Sequence, residues 1–377
     1  AMPSNPLRVL LNACAMSVKP TGIWGYALEL GAALSARDDC RVVFASPELH
    51  PPNTQHLIPP ARLSEGRKRV SAVRLQWWTE VDLPQWMRHN SIDVYHGANC
   101  TVPAFSRIPR VATIHDLAPL TRAKLFRGVD NKLYWRLLIE SAKRATMIVV
   151  PSTPVADDVT RLLGVPARRI AVTPLAPRAM MTAASEESVA LVKARLGIER
   201  PYLLCVGIWN RNKRAVDAMR ALALLRGRGV DLQLVLCGEP MPQLAPLYKR
   251  EAERLGIADR VVCVGHVPDD DLPALYTGAL VLVFPSEMEG FGLPPLEAMN
   301  CGTPAIVSSI PALLEATGGA AIVVNLRSPG EIADRVAELA ANAGLRQEWV
   351  TRGRERVANF TWARTAAATM DVYRSIT

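Results

Sequence analysis

The hydrophobic positions of this chain fall into short, mainly apolar runs, of which Leu280–Phe284 is unbroken, and helix-like stretches separate the runs. In the first half the apolar runs are Leu7–Cys14, Arg41–Ser46, Asp93–Gly97, Val111–Asp116, Met147–Val150 and Ile170–Thr173. In the second half they are Tyr202–Val206, Leu232–Cys237, Val261–Val264, Leu280–Phe284 and Ala305–Val307. Such runs are typical of strands that are buried on both faces of a parallel sheet.

The stretches between these runs predict helices, so the fold class is α/β. Examples are Ala27–Arg37, Arg214–Arg226 and Leu244–Leu255. The alternation stops at the small and polar stretch Ala179–Ser188 and then restarts. The sequence therefore predicts two Rossmann-like, doubly wound domains, at 1–178 and 179–360, that face each other across a cleft. A last helix follows Thr361.

One stretch of the second half, from Leu280 to Ser308, combines a strand, a loop, a short helix and a second strand. The loop is Glu289–Gly292, and the helix that follows begins with two prolines, which are tolerated in a first turn. The free N–H groups around Gly292 and Leu293 lie at the positive end of the helix dipole, which is a suitable site for a phosphate. Carboxylates repel phosphates, so Glu289 and Glu297 are expected to bind hydroxyl groups on either side of it.

The string EGFGLPPLEAMNCGTPAIVSS contains two glutamates eight positions apart with Gly-Phe-Gly between them. It resembles the hallmark motif of the retaining glycosyltransferases of family four, which have the GT-B fold. The resemblance implies that Glu289 binds the hydroxyls of the donor sugar and Glu297 the ribose. It also implies that Gly290, Phe291, Gly292 and Leu293 line the diphosphate. The alternative is a buried βαβ unit with two solvated glutamates.

The loop after Tyr202–Val206 carries two basic residues. In the resembling family an arginine and a lysine here hold the diphosphate, next to a glycine that corresponds to Gly207. Lys213 falls on the lysine position. The arginine often follows the glycine directly, where this chain has Ile208, and Arg211 is the candidate that replaces it. Positive charge at the start of a helix is mildly unfavourable, which is easier to understand if the loop binds an anion.

The family also contacts the nucleobase through backbone groups that follow a glycine. That glycine corresponds to Gly265, so His266 and Val267 are the predicted base-pocket residues. Backbone contacts of this kind leave the identity of the base open.

In the first half, the string TIHDLAPL resembles the family motif whose histidine reaches the donor sugar, which implies this role for His115. His115 and His96 each end a predicted strand, and ligands bind at the carboxyl ends of parallel strands. The resemblance places His96 and Asn99 on the acceptor side.

A glycine pair also lies in the predicted loop between the first strand and the first helix. Gly22 matches a loop that lines the donor phosphate in the family, and a simple tight turn is the alternative. Trp24 is predicted to lie in the same exposed loop, where it would pack on the substrate or on the other domain.

Three tryptophans, Trp77, Trp78 and Trp86, lie close together with flanking arginines. Trp and Arg together suit a membrane interface, and the near-helical spacing also suits an ordinary core. The formal net charge is +9. In the absence of a nucleic-acid motif, this charge suits an anionic substrate or a peripheral association with an anionic membrane.

The seven cysteines form no CxxC pair and read as reduced thiols of a cytoplasmic protein. The chain moves directly into its first strand, so no signal peptide is expected. No apolar run approaches the roughly 20 residues that span a bilayer. The cluster Asp269–Asp271 reads as a helix start rather than a metal-binding motif, so neither a metal nor a cofactor is expected.

These features predict a retaining, metal-independent glycosyltransferase that moves a hexose to a hydroxyl of a growing surface glycan or lipid-linked acceptor. By resemblance, the first domain binds the acceptor, the second binds the nucleotide sugar, and the helix at 361–377 packs back on the first. GDP-mannose is the first candidate donor, and UDP- and dTDP-sugars are alternatives. A sugar-nucleotide epimerase and a non-catalytic nucleotide-sugar-binding protein remain as further hypotheses.

Overall fold

A computed structural model describes residues 5–14, 22–46, 50–58, 77–121, 139–207, 211–239 and 244–377. The chain divides into two compact units. The first consists of Ala1–Leu175 together with Thr361–Thr377, and the second is Ala176–Phe360. The division lies three residues before the sequence-based boundary at 178/179, because residues that follow Leu175 pack against the second unit.

The first unit is built on a parallel sheet of seven strands in the order β3-β2-β1-β4-β5-β6-β7. The strands are β1 (Leu7–Asn12), β2 (Cys40–Ala45), β3 (Gln55–Leu57), β4 (Val94–Gly97), β5 (Arg110–Thr113), β6 (Met147–Val150) and β7 (Ile170–Val172). Val9 of β1 is paired with Val42 on one side and with Val94 on the other. The strand order therefore reverses between β1 and β4.

Strand β3 was not predicted, and 50–74 reads as a connection in the sequence. The strand is only three residues long, lies at the edge of the sheet, and contains Gln55 and His56. A short polar edge strand carries no apolar run, so hydrophobic patterning cannot detect it.

Within the described ranges, helices of the first unit pack against this sheet. They are α1 (Gly22–Ser35), α2 (Leu83–His89), α3 (Ala118–Thr121), α4 (Thr153–Leu163) and α13 (Trp362–Arg374), and a π-helical turn spans Trp78–Asp82. Helix α1 begins at Gly22, five residues earlier than the predicted start at Ala27. Helix α13 packs against α1. Its predicted cap is confirmed, since the Thr361 hydroxyl accepts a hydrogen bond from the Arg364 N–H at 3.2 Å.

A chain of buried hydrogen bonds joins α13 to the sheet. The His96 ring is fully buried and lies 2.6 Å from the Tyr373 hydroxyl through Nδ1 and 2.7 Å from Thr113 Oγ1 through Nε2. Thr113 Oγ1 in turn lies 2.9 Å from the Tyr26 hydroxyl. Burial lowers the pKa of His96 to about 3, so the ring is neutral. One ring nitrogen then donates and the other accepts, and rotatable hydroxyls satisfy both.

The second unit is built on a parallel sheet of six strands in the order β10-β9-β8-β11-β12-β13. The strands are β8 (Tyr202–Val206), β9 (Gln233–Cys237), β10 (Val261–Gly265), β11 (Val281–Phe284), β12 (Ala305–Ser308) and β13 (Ile322–Val324). The order reverses between β8 and β11. In open α/β sheets ligands bind outside the carboxyl ends of the strands at such a reversal.

The helices of the second unit surround this sheet. They are α5 (Glu186–Leu196), α6 (Ala215–Gly227), α7 (Ala245–Arg254), α8 (Leu272–Thr277), α9 (Leu293–Asn300), α10 (Pro311–Thr317), α11 (Pro329–Ala341) and α12 (Ala343–Val357). The core joins apolar residues of the sheet to α6 and α11, among them Leu203, Leu222 and Val336, each fully or almost fully buried.

The three neighbouring tryptophans differ in their exposure to solvent. Trp78 is buried and Trp86 packs against the core of the first unit, as the core interpretation expects, whereas 63% of Trp77 is exposed. Six cysteines are buried and Cys263 is exposed. Within the described ranges, no helix is long and apolar enough to cross a membrane.

We predict that Tyr373→Phe destabilises the first unit by about 1–3 kcal/mol, because it leaves a buried nitrogen of His96 without a partner. Thermal unfolding measures this change. Tyr248→Phe is the matched control, since Tyr248 is also buried but its hydroxyl makes no hydrogen bond to any described residue. Equal effects of the two substitutions would contradict the proposed importance of the hydrogen-bond chain.

Candidate functional site

The predicted site residues fall into both units. Gly22, Trp24, His96, Asn99 and His115 belong to the first unit, and the others belong to the second. In each unit they lie on segments that follow the carboxyl ends of strands or open the next helix, with the exceptions of His96 inside β4 and Glu297 in the middle of α9.

In the second unit, the loop between β11 and α9 presents backbone N–H groups at its end. Gly292 has φ +113°, and a β-carbon there would lie 2.6 Å from Leu313 Cδ2, so only glycine fits. Helix α9 begins at Leu293, and Pro294 and Pro295 carry no N–H. The first-turn donors are thus concentrated at Gly292 and Leu293, next to the positive end of the helix dipole.

In the loop that precedes this helix, Glu289 forms an ion pair with Lys213. Lys213 Nζ lies 2.7 Å from Glu289 Oε1, and the two side chains are 17% and 15% exposed. The same ammonium lies 4.6 Å from the centre of the Phe284 ring at the end of β11. The pair therefore brings a positive charge from the β8 loop to the β11 loop, at the point where the strand order reverses.

Backbone and side-chain bonds hold these two loops together. Asn212 Nδ2 donates to the Met288 carbonyl oxygen at 2.7 Å, and the Glu287 N–H donates to the Asn212 carbonyl oxygen at 3.0 Å. Arg214 is bound to Asp217 through two hydrogen bonds and also donates to Glu287 at 3.2 Å. The two chain neighbours of Lys213, Asn212 and Arg214, are thus both bound to the loop that carries Glu289.

Glu297 lies in the middle of α9 and is 5% exposed. Its Oε1 accepts a hydrogen bond from Arg178 Nε at 2.8 Å, and its Oε2 accepts one from the Tyr276 hydroxyl at 3.1 Å. Arg178 also donates through Nη1 to Asp269 Oδ1 at 2.7 Å. The carboxylate therefore has a defined orientation, set by two residues that the sequence analysis did not select.

The neighbouring strands β8 and β9 end in glycines that touch. Gly238 has φ +116°, and a β-carbon on it would lie 2.0 Å from the Gly207 carbonyl oxygen. Gly207 itself packs under Lys213, whose Cε would lie 3.4 Å from a β-carbon there. The two backbones therefore approach too closely for a side chain on Gly238, and Gly207 contacts the Lys213 side chain.

Four predicted donor-site residues lie on the neighbouring loops. His266 is exposed and Val267 is buried, directly after β10. Phe291 is buried and packs edge-on against Phe360 at 5.7 Å, so its side chain belongs to the core of the second unit. Gly290 precedes it and is half-buried.

Arg211 lies on the same short 3₁₀ turn as Lys213 and is exposed. Burial raises the pKa of Tyr248 to about 12, and the positive charge of Arg211 opposes this shift. Ile208, the position at which the family often has its arginine, lies outside the described residues.

In the first unit, His115 lies two residues beyond the end of β5. Its Nε2 donates to the Ala98 carbonyl oxygen at 3.0 Å, and Tyr26 packs edge-on against the ring at 4.7 Å. Because a carbonyl oxygen only accepts, Nε2 carries the proton and Nδ1 is an acceptor. Burial lowers the pKa of His115 to about 4, so the ring is neutral.

His96 has a different environment from the one predicted for it. The residue lies inside β4 rather than at its end, is fully buried, and has both ring nitrogens engaged in the chain of bonds to Tyr373 and Thr113. An acceptor cannot reach this side chain, so its structural role is in the core. Asn99, in the loop after β4, is 8% exposed.

Trp24 also differs from its prediction. It lies in the first turn of α1 rather than in an exposed loop, and its half-buried ring is 6.5 Å from that of Phe44. Gly22 is exposed and is the first residue of the helix, with no atom within 4 Å of a β-carbon position. Most of the loop that precedes it lies outside the described residues.

The second-unit arrangement is suited to an anion that carries hydroxyl groups nearby. It offers two adjacent backbone donors, an ammonium group, and two carboxylates that are held in place. In the described part of the chain, no three His, Cys, Asp or Glu side chains lie where they could hold a metal ion together. Sequence reasoning missed Arg178 and Tyr276, because their partner Glu297 is 119 and 21 residues away and no local pattern links them.

Two family models match the chain. The model described as Glycosyltransferase Family 4 matches residues 20–176, and the model described as Glycosyl transferases group 1 matches residues 191–356. The two matches correspond closely to the two units.

Similar curated proteins carry glycosyltransferase names. The O-antigen chain mannosyltransferase B of Escherichia coli is 30% identical over 74% of this chain and 74% of its own length. The D-inositol 3-phosphate glycosyltransferase of Salinispora arenicola is 31% identical over 71% of this chain and 63% of its own. The serotype-specific mannosyltransferase WbdA of Escherichia coli is 28% identical over 69% of this chain, and the match spans 33% of that longer protein.

Solved structures share the fold along almost the whole chain. WaaG, a glycosyltransferase involved in lipopolysaccharide biosynthesis, has a TM-score of 0.73 at 16% identity, with 98% of this chain and 99% of that chain covered. HepE of Anabaena, in complex with UDP-glucose, has a TM-score of 0.76 at 15% identity and covers 98% and 100%. The fold is therefore GT-B.

We predict that Gly238→Ala destabilises the second unit by roughly 2–5 kcal/mol, because it adds backbone strain and a clash with the Gly207 carbonyl. Gly256→Ala is the matched control. Gly256 also has a positive φ, +65°, but no atom lies within 4 Å of its β-carbon position, so we expect a loss of only about 1 kcal/mol. Chemical unfolding of both variants measures the difference, and similar losses would refute the importance of this backbone contact.

Proposed function

This chain belongs to the group 1, family 4 glycosyltransferases, and we propose that it transfers a hexose, with retention of anomeric configuration, from a nucleoside-diphosphate sugar to a hydroxyl. The proposed acceptor is a growing surface glycan or a lipid-linked molecule. In this proposal the second unit binds the donor and the first unit binds the acceptor.

The observation that carries the proposal is the anion site of the second unit. Lys213 lies at the carboxyl edge of the sheet where the strand order reverses, and its partner Glu289 precedes the N–H groups of Gly292 and Leu293 in the loop that enters α9. A diphosphate at this position would be bound by charge and by two aligned dipoles. Arg211, on the same turn as Lys213, is the second candidate cation.

These groups would stabilise the leaving diphosphate as the bond between the anomeric carbon and the phosphate oxygen breaks. The sugar then carries positive charge and the diphosphate negative charge, and fixed cationic groups stabilise the latter in the transition state. Lys213 and the helix dipole supply that charge in our proposal, without a metal ion.

Retention follows if the acceptor hydroxyl attacks from the face that the diphosphate leaves. The new bond joins the acceptor oxygen to the anomeric carbon, and a departing phosphate oxygen takes the hydroxyl proton. The two carboxylates of the motif have other roles in this proposal, and in the described residues Glu289 is paired with Lys213 and Glu297 with Arg178. Glu289 would bind sugar hydroxyls, Glu297 the ribose, and the neutral ring of His115 would position the sugar.

The donor that we propose first is GDP-mannose, supported by the mannosyltransferase names of similar proteins. A UDP-sugar is the second candidate, supported by the shared fold with a protein solved with UDP-glucose, and a dTDP-sugar is the third. The base would lie against the backbone of His266 and Val267, so side chains do not decide between the candidates.

We also propose that the enzyme works in the cytoplasm at the inner face of a membrane. Six buried cysteines, all seven being free thiols, suit a reducing compartment. The exposed ring of Trp77 and the net charge of +9 suit a peripheral contact with anionic lipid.

Turnover of a panel of GDP-, UDP- and dTDP-sugars, with the anomeric configuration of the product determined by NMR, tests the proposal. We expect one nucleotide class to be consumed and the configuration to be retained. Inversion would refute the same-face mechanism. An altered sugar that stays attached to its nucleotide would indicate an epimerase, and binding without any turnover would indicate a non-catalytic protein.

Lys213→Ala links this activity to the site. We expect kcat/KM to fall by about 10²–10³, which is the effect of removing one charge-stabilising group from a leaving-group site. Lys249→Ala is the control, because Lys249 is exposed on α7 and has no recorded partner among the described residues. An unchanged rate in Lys213→Ala would remove the lysine from the mechanism.

A further inference from the structure

Arg178 connects the start of the second unit to α9 through its side chain. Its guanidinium donates through Nε to Glu297 and through Nη1 to Asp269, at 2.8 and 2.7 Å. Burial alone would lower the pKa of Arg178, but the two carboxylates outweigh it and raise the pKa above its usual range. The side chain is 22% exposed, so its charge acts in a partly buried setting.

The segment around Arg178 is anchored to the same helix at two further points. Asn300 Nδ2 donates to the Met181 carbonyl oxygen at 2.6 Å, and Cys301 Sγ donates to the Thr182 carbonyl oxygen at 3.5 Å. Residues 178–182 therefore lie along α9 from its middle to its end. The position of Arg178 relative to Glu297 is fixed by these backbone contacts and not by the arginine side chain alone.

Glu297 is held from two sides, and each of its oxygens has one protein donor. A carboxylate with this little exposure is costly unless it is paired, and a partner on each oxygen sets the plane of the carboxylate. Each oxygen still has a second lone pair. A diol can therefore bind the same carboxylate in the orientation that its two protein donors define.

We propose that Arg178 is a positioning residue for nucleotide binding, which acts by orienting Glu297 toward the ribose hydroxyls, with Tyr276 as the second support. This inference rests on the proposed function, because it assigns the ribose to Glu297. Arg178 does not contact the nucleotide in this proposal. Its effect passes through Glu297, and this distinguishes it from a residue that binds the ligand itself.

The test compares the dissociation constants of GDP and UDP with those of their 2′,3′-dideoxy forms, by calorimetry on the full chain. The wild type should bind the natural nucleotide about ten- to a hundredfold more tightly than the dideoxy form, since hydrogen bonds to a carboxylate are lost. Arg178→Met should reduce this ratio to near one while the dideoxy form binds as before. Arg178→Lys keeps the charge but not the fork geometry, and should reduce the ratio partly.

Arg195→Met is the matched control. Arg195 forms an ion pair with Asp271, in the same short turn as Asp269, but is not bound to Glu297. This variant should keep the wild-type ratio. In the Glu297→Gln background, Arg178→Met should cause no further loss, because the two residues act as one unit.

Three results would overturn the inference. If Arg178→Met and Arg178→Lys keep the wild-type ratio, the arginine does not orient the ribose ligand. If Arg178→Met weakens the natural and dideoxy forms equally, it acts on another part of the nucleotide or only on stability. If the wild type binds no nucleoside diphosphate, the proposed function is overturned as well. If the wild type prefers the natural nucleotide to its dideoxy form, the proposed function stands even when the Arg178 variants overturn the inference.

Discussion

The ion pair between Lys213 and Glu289 is the interaction on which the candidate site depends. It joins the loops that follow β8 and β11, at the reversal of the strand order, and both side chains are more than four-fifths covered. Either charge alone would be expensive at this degree of burial. A diphosphate bound at the start of α9 would compete with Glu289 for the ammonium, and the carboxylate would then be released for sugar hydroxyls.

The features that support this pair are mostly backbone features. The backbones of Gly207 and Gly238 touch next to the lysine, and the positive φ of Gly292 allows the chain to enter α9 against Leu313. Asn212 then ties the two loops together. The charges are thus placed by the backbone of the loops that follow the strands.

The first unit combines a reachable histidine with an enclosed one. His115 lies beyond β5, where Ala98 and Tyr26 contact its ring and burial lowers its pKa, so that the ring is neutral. His96 lies within β4, and its two ring nitrogens form hydrogen bonds with Thr113 and with Tyr373 of α13. Tyr26 is linked to the surroundings of both histidines. Its hydroxyl forms a hydrogen bond with Thr113, which also bonds His96, and its ring packs on the ring of His115. Contacts made by Tyr26 therefore connect the hydrogen bonds that hold α13 to the packing around His115.

Apolar patterning predicted the strands well where the runs were long and buried. Strands β6 and β8 have the predicted bounds, and the approach of Lys213 to Glu289 follows because the carboxyl ends of parallel strands meet at one edge. The side chains that form hydrogen bonds with Glu297 could not be predicted in this way. Arg178 lies 119 residues from its partner, and only the folded chain brings them together.

The most direct test of the account follows the backbone amides of Gly292 and Leu293 by NMR as ligands are added. Nucleoside diphosphates should shift these two amide resonances strongly, whereas the corresponding nucleosides should leave them nearly unchanged, because the diphosphate is the group that accepts these hydrogen bonds. A nucleoside diphosphate that binds the protein without moving either resonance would contradict the central claim.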